Sequence, residues 1–129
     1  MKIFAILLAT AALFFAGCRG AQPIQNVEKA PVVTASGNAA TLAQVSTAIV
    51  RAGTRLGWRM KPSGKGRVSG TLVVREHTAN IDVDHDTKTY TIRYRDSVNL
   101  NAKDGTIHPN YNSWIQNLDR SIRAELAQL

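Results

Sequence analysis

Apolar positions recur in two different rhythms along the chain. Between Leu42 and Leu56 they fall at Leu42, Val45, Ile49, Ala52 and Leu56, the spacing of one helix face. Thr41-Leu42-Ala43-Gln44 has the form of a capping box, in which Thr41 accepts from an amide one turn in and Gln44 reaches back. Gly57 stands where a left-handed C-terminal cap belongs. A second helical stripe runs through Tyr111, Trp114, Ile115, Leu118, Ile122 and Leu126. It starts near Pro109, a residue suited to the first helical position, with His108 or Asn110 as the cap.

Between the helices the period changes to two. Trp58 to Lys61 reads as a short strand, broken by Pro62, Gly64 and Gly66. Val68, Gly70, Leu72 and Val74 then alternate with polar residues, as do Ala79, Ile81 and Val83, and Tyr90, Ile92 and Tyr94. Residues 84–88, Asp-His-Asp-Thr-Lys, read as a turn, which places His85 in solvent. Connections this short demand antiparallel neighbours. The expected fold is therefore α+β: a four-stranded antiparallel meander with the N-terminal and C-terminal helices on its apolar face. The other face would carry Ser69, Thr71, Asn80, Asp82, Thr91, Arg93 and Arg95. The aromatics Trp58, Tyr90, Tyr94, Tyr111 and Trp114 fall at inward positions and read as core. Their polar atoms would need partners, for which Asn112, Ser97 and His77 are candidates.

A different segment opens the chain. Met1-Lys2 is basic, residues 3–16 are uncharged and largely apolar, and Gly17 and Cys18 follow. A basic start, a short apolar stretch and a small-residue end describe an export signal. It is shorter than the roughly 20 residues a spanning helix needs. The organisation expected is a signal over 1–17, a segment over 18–40 that begins at Cys18 and reads as a flexible tether, with Pro31-Val32-Val33 as an alternative edge strand, and one domain over 41–129. As a flexible coil the tether would reach about 25 Å root-mean-square.

Composition narrows the chemistry. The chain has 129 residues, one cysteine and a formal charge of +7. That length holds one domain, and a lone cysteine excludes an internal disulfide framework or a four-cysteine zinc site. Loss of Lys2 with the signal leaves 15 basic against 9 acidic residues, net +6. No acid occurs between Glu28 and Glu76, a span that holds Arg51, Arg55, Arg59, Lys61, Lys65, Arg67 and Arg75. In a cytoplasmic protein this charge would invite a nucleic-acid reading. Export speaks against that and leaves anionic envelope components such as phospholipid headgroups, lipopolysaccharide phosphates or peptidoglycan carboxylates, to which arginine offers bidentate contacts.

Enzymatic patterns are sparse. His77, His85 and His108 share no close helical spacing, and neither an H-E-x-x-H nor a G-x-S-x-G motif occurs. Ser97 with Asp96 and either His77 or His108 has the residue types of a hydrolytic triad, but Ser97 and Asn99 equally suit loop backbone groups. Asp82, Asp84 and Asp86, the first two on one strand face, lack the glycine and distal glutamate of a calcium loop and read as solvated residues toward a hairpin tip.

Phe15-Ala16-Gly17-Cys18 resembles the bacterial lipobox, with Phe15 in place of the usual leucine. The resemblance implies a diacylglycerol on the Cys18 thiol. It also implies outer-membrane residence facing the periplasm, since Arg19 is not the aspartate associated with inner-membrane retention. Two further runs extend the likeness. They are Arg75-x-His77-x-Ala79 followed by Tyr90-x-Ile92-x-Tyr94-x-x-Ser97-x-Asn99-Leu100, and Ile107-His108-x-x-Tyr111-Asn112-x-Trp114-Ile115-x-Asn117-Leu118. Together they resemble a family of small proteobacterial lipoproteins without an assigned activity, which supplies no catalytic residues. The functional expectation is a lipid-anchored envelope protein with a non-enzymatic binding or structural role, without a cofactor. Its partners would be the membrane, through Cys18, and an envelope protein or anionic component. His77, Arg93, Arg95, Ser97, His108 and Asn112 form the polar cluster to examine. The competing expectation is a small periplasmic enzyme or metal-binding module using His77, Ser97 and His108. Convergence of those three side chains separates the two.

Overall fold

The computed structural model describes residues 20–129. Cys18 and the signal segment lie outside the described residues. Among those described, no helix is long and apolar enough to cross a membrane.

In chain order the elements are β1 (Gln22–Pro23), β2 (Val27–Pro31), α1 (Leu42–Arg55), β3 (Arg59–Pro62), β4 (Arg67–Val74), β5 (His77–His85), β6 (Thr89–Val98), β7 (Thr106–Ile107) and α2 (Pro109–Leu126). The fold is α+β, with a five-stranded antiparallel sheet in the order β2-β6-β5-β4-β3 and a separate pair, β1-β7. Strands β3 to β6 follow one another as neighbours. The expectation of four strands is corrected to five, because β2 adds itself to the free edge of β6. Residues 22–31 are thus built into the domain rather than lying in a flexible tether.

Local chemistry explains the elements that sequence located well. At the start of α1, Thr41 Oγ1 accepts from the Gln44 amide at 3.1 Å and Gln44 Oε1 accepts from the Thr41 amide at 2.9 Å. These bonds satisfy two backbone donors that the helix itself cannot. Gly57 follows the helix at φ 90°, the left-handed region where glycine carries no side-chain penalty. Pro109 is the first residue of α2, and His108 caps it by accepting from the Asn110 amide through Nδ1 at 3.1 Å.

The core lies between the sheet and the two helices. Val45, Ile49 and Ala52 of α1 meet Val68, Leu72, Ala79, Ile81 and Val83, while Tyr111, Ile115, Leu118 and Ile122 of α2 complete the cluster with Tyr90 and Ile92. Close approach of α1 and β4 leaves a slot for Met60. A Cβ built on Gly53 would clash with its sulfur, and one on Gly70 would stand 2.9 Å from it. Side chains at either position would push Met60 out of the slot.

Two irregularities shape the rest. In β2 the register shifts between Val27 and Ala30, where Lys29 has φ 46° and its amide bonds to Thr91 Oγ1 at 3.0 Å. This buries Thr91, which alternation alone puts in solvent. In β6 Arg95 is an extra residue, since Tyr94 faces Ile81 while Asp96 faces Asn80. Such a bulge resets which side chains face inward.

Candidate functional site

His77 opens β5 on the same sheet face as Ala79, Ile81 and Val83, and His108 precedes α2. The fold brings their rings together, with centroids 6.3 Å apart and planes at 27°. His77 Nδ1 lies 2.6 Å from the Asn99 carbonyl, and a carbonyl oxygen can only accept. His77 therefore carries its proton on Nδ1, and Nε2 holds the free lone pair. His108 is the reverse: Nδ1 accepts from Asn110 N, so in the neutral ring the proton sits on Nε2. Binding a metal through both Nε2 atoms would require His108 to give up its capping bond. Among the described residues, no group of three or more metal-ligating side chains converges.

Ser97 is the third member of the expected convergence, and it does not join the imidazoles by hydrogen bonding. The Arg95 bulge turns it inward, where its hydroxyl meets the Tyr94 hydroxyl at 2.8 Å. Tyr94 in turn packs edge-on against Tyr111, at 5.3 Å and 89°. The hydroxyl of Tyr111 is buried without a partner among the described residues, and burial raises its pKa. Asp96, the acid of the expected triad, points to the opposite face and accepts from Asn80 Nδ2 at 2.6 Å.

Asn112 serves a different purpose from the one its position suggests. It is 2% exposed, and its side chain holds the N-terminal segment rather than a tyrosine. Oδ1 accepts from the Gln25 amide at 3.0 Å, and Nδ2 donates to the Pro23 carbonyl at 2.9 Å and to Gln22 Oε1 at 3.3 Å. Two further asparagines act on backbone. Asn26 Oδ1 accepts from the Tyr94 amide, and Asn99 Nδ2 donates to the Glu76 carbonyl. Asn99 has φ 58°, a conformation asparagine tolerates better than most residues.

The outer sheet face is a ladder of polar pairs. Ser69 bonds to Asp82 and Thr71 to Asn80, each across the strand pair. Arg67 pairs with Asp84 through Nε and Nη2, and Arg93 approaches Asp84 at 3.8 Å. Arg95 reaches Asp82 at 3.3 Å and Asp96 at 3.6 Å. Arg93 and Arg95 are thus already matched with carboxylates. By contrast, Arg51, Arg59, Lys61 and Lys65 have no ion-pair partner among the described residues. Arg59 and Lys61 line an open groove along β3 together with Trp58, Ser69, Thr71 and Arg95.

One placement here corrects the sequence reading. His85 is not an exposed turn residue: it ends β5 at 8% exposure, and neither ring nitrogen has a hydrogen-bond partner among the described residues. Removal from water lowers its pKa, partly opposed by Asp86 and Asp84. Asp82 and Asp84 share one strand face, as their alternation with Ile81 and Val83 predicts, and Asp86 alone of the three aspartates forms the turn. There its Oδ1 accepts from the Lys88 and Thr89 amides at 2.7 Å each, which lowers its pKa.

No protein-family model, curated protein or solved structure matches the chain.

Proposed function

We propose that the protein is a lipid-anchored component of the bacterial envelope, held in the outer membrane through Cys18 with its domain in the periplasm, and that the domain binds an anionic partner rather than catalysing a reaction. The lipobox-like run ending at Cys18 supports the anchor. One structural observation carries the binding role: the division of the cations. Arg67, Arg93 and Arg95 are matched by Asp84, Asp82 and Asp96, whereas Arg51, Arg59, Lys61 and Lys65 have no ion-pair partner among the described residues. Two of these unmatched cations, Arg59 and Lys61, line the β3 groove, and Lys65 stands in the turn that follows β3, so an acidic surface can neutralise them without first breaking a pair.

Two measurements test this reading. Radioactive palmitate should label the wild-type protein and not Cys18→Ser, and equal labelling would remove the anchor. Purified protein in detergent should sediment with isolated peptidoglycan sacculi at low salt and progressively less as salt rises. A triple Arg59→Gln, Lys61→Gln, Lys65→Gln variant should lose the association, and unchanged sedimentation would remove the binding surface.

The enzymatic reading rests on one observation, the pairing of His77 with His108. Against it stand the commitments of their neighbours. Ser97 is bonded to Tyr94, Asp96 lies on the other face, and His108 Nδ1 is the cap of α2.

A further inference from the structure

The first described residues are stitched to one end of the sheet. Gln22 and Pro23 pair with Ile107 and Thr106, and the Ile24 amide bonds to the Gly105 carbonyl at 2.9 Å. The neighbouring His108 amide bonds to Leu100, just past the end of β6, and the His108 ring lies on His77 at the start of β5. From Gln22 onward the chain is therefore fixed at the end of the domain formed by the β4–β5 turn, the end of β6 and the start of α2. Cys18 stands four positions earlier in the sequence. Four residues span at most about 14 Å even when fully extended. The strand β5 has 9 residues and is roughly 30 Å long. A lipid at Cys18 can reach a bilayer against this end and not one against the other.

The same end carries an independent mark. Among the described residues five large apolar side chains are exposed, and three of them, Val73, Val74 and Val98, lie here. Val73 and Val98 are each 54% exposed and flank Thr78 in one cross-strand row on the outer face. Charge does not explain the patch, since Arg75 and Lys103 are accompanied by Glu76 and Asp104 at the same tips. Exposed valines beside mixed charges suit the boundary between headgroups and acyl chains better than a purely ionic surface.

Resting on the reading that Cys18 is lipidated, we propose that this end of the domain lies on the phospholipid surface that receives the anchor, with Val73, Val74 and Val98 entering the interface. The domain would then be docked in one orientation rather than swinging on a tether. The unmatched cations of the β3 groove and the β3–β4 turn would face away from the anchoring bilayer or along it, open to a second partner.

The test uses the full lipidated protein, in which the lipid blocks the thiol of Cys18. Single cysteines at Val98→Cys and Thr87→Cys, the latter on the opposite hairpin, carry an environment-sensitive fluorophore. The protein is reconstituted into phosphatidylethanolamine–phosphatidylglycerol vesicles that hold a lipid-borne quencher. Quenching about threefold stronger at position 98 than at position 87 is expected for an interfacial segment. Mass measurement of the same sample separates the two ways to fail. A Cys18 without lipid overturns the anchor and the orientation together. A lipidated protein with equal quenching at both positions overturns the orientation alone, including the case in which the valines meet another protein. A label at Lys103→Cys then tests the valines themselves. Adding Val73→Ser and Val98→Ser should reduce its quenching, and an unchanged signal would overturn their entry into the interface.

Discussion

Strand β5 begins and ends on a histidine, and the two make opposite settlements with the same sheet face. His77 donates to the Asn99 carbonyl and stacks on His108, while Asn99 and Asn112 tie the surrounding chain together. His85, eight positions later, is buried with both ring nitrogens unpartnered among the described residues. Strand parity sends both side chains inward, but it does not determine what they find there. At the first end the chain crosses itself several times, and loops supply carbonyls and amides. At the second end a tight hairpin spends its polar groups on its own backbone, as Asp86 does. The first end is held together by polar contacts, and the second tolerates a polar group that apolar packing encloses.

The largest effect expected is at Asn112, on the well-partnered end. Asn112→Ala leaves the Gln25 amide and the Pro23 carbonyl without their partner in a part-buried place. Orphaned groups of this kind cost roughly 1–3 kcal/mol each, so a loss of about 3 kcal/mol in denaturant unfolding is expected. Hydrogen exchange should accelerate first at residues 22–26, before global unfolding. A loss spread evenly over the domain would mean that the N-terminal segment is not held by this side chain.

His85→Phe tests the other end with the opposite sign. Phenylalanine keeps a flat aromatic ring, somewhat larger than imidazole, and brings no polar atoms, so stability at neutral pH should rise by about 1–2 kcal/mol less the cost of the extra volume. The pH dependence sharpens the test. Burial lowers the folded-state pKa of His85 below its ordinary value near 6.5. The unfolded chain therefore takes up a proton first as pH falls. The contribution of the neutral ring is complete above about pH 6.5 and is lost as pH falls from there through the folded-state value. The wild-type denaturation midpoint should decline over that window more steeply than that of His85→Phe. Parallel curves would show that His85 is not the buried group responsible.

Much of the fold was legible because it is written in local chemistry. The Thr41–Gln44 box, Pro109 at the head of α2 and the alternations around Ile81 and Ile92 are readable from residues a few positions apart. Strand β2 was not legible, for a physical reason. Only Ala30 of its residues is buried, Lys29 breaks its register, and its bonds come from Thr91 and β6, far along the chain. The candidate site divides in the same way. Parity placed His77 inward, and the Tyr94–Ser97 hydroxyl contact was among the pairings foreseen. The Arg95 bulge that turns Ser97 inward and Asp96 outward leaves no mark in a single sequence, because the alternation simply blurs there. His85 is hidden in the sequence because the turn-like run Asp84-His85-Asp86 overlaps the last two residues of β5.

An intermediate effect belongs to His108, which joins the two roles of the first end. As the cap of α2 it accepts from Asn110 N, and as a ring it covers His77. His108→Ala should cost about 1 kcal/mol, the usual scale for a lost N-cap. His108→Asp should recover most of that loss, because a carboxylate caps well and suits the positive end of the helix. It removes the imidazole all the same. If aspartate fails to recover stability, the stacking on His77 rather than the cap is what His108 contributes.

The smallest effect is expected on the outer face, where polar partners are abundant but solvent competes for them. Arg95 contacts Asp82 and Asp96 while 44% of its side chain remains exposed. Exposed pairs of this kind contribute about 0.2–1 kcal/mol and weaken with salt. Arg95→Ala should therefore lower stability by less than any change above, and by less still in high salt. A double-mutant cycle with Asp82→Ala isolates the pair, with the qualification that Asp82 also accepts from Ser69. A coupling well above 1 kcal/mol that persists in salt would mean that the ladder, and not the asparagine network, is what fixes the β6 bulge. The contrast between the two ends of β5 would then reflect where bulged β6 is clamped rather than how each histidine is partnered.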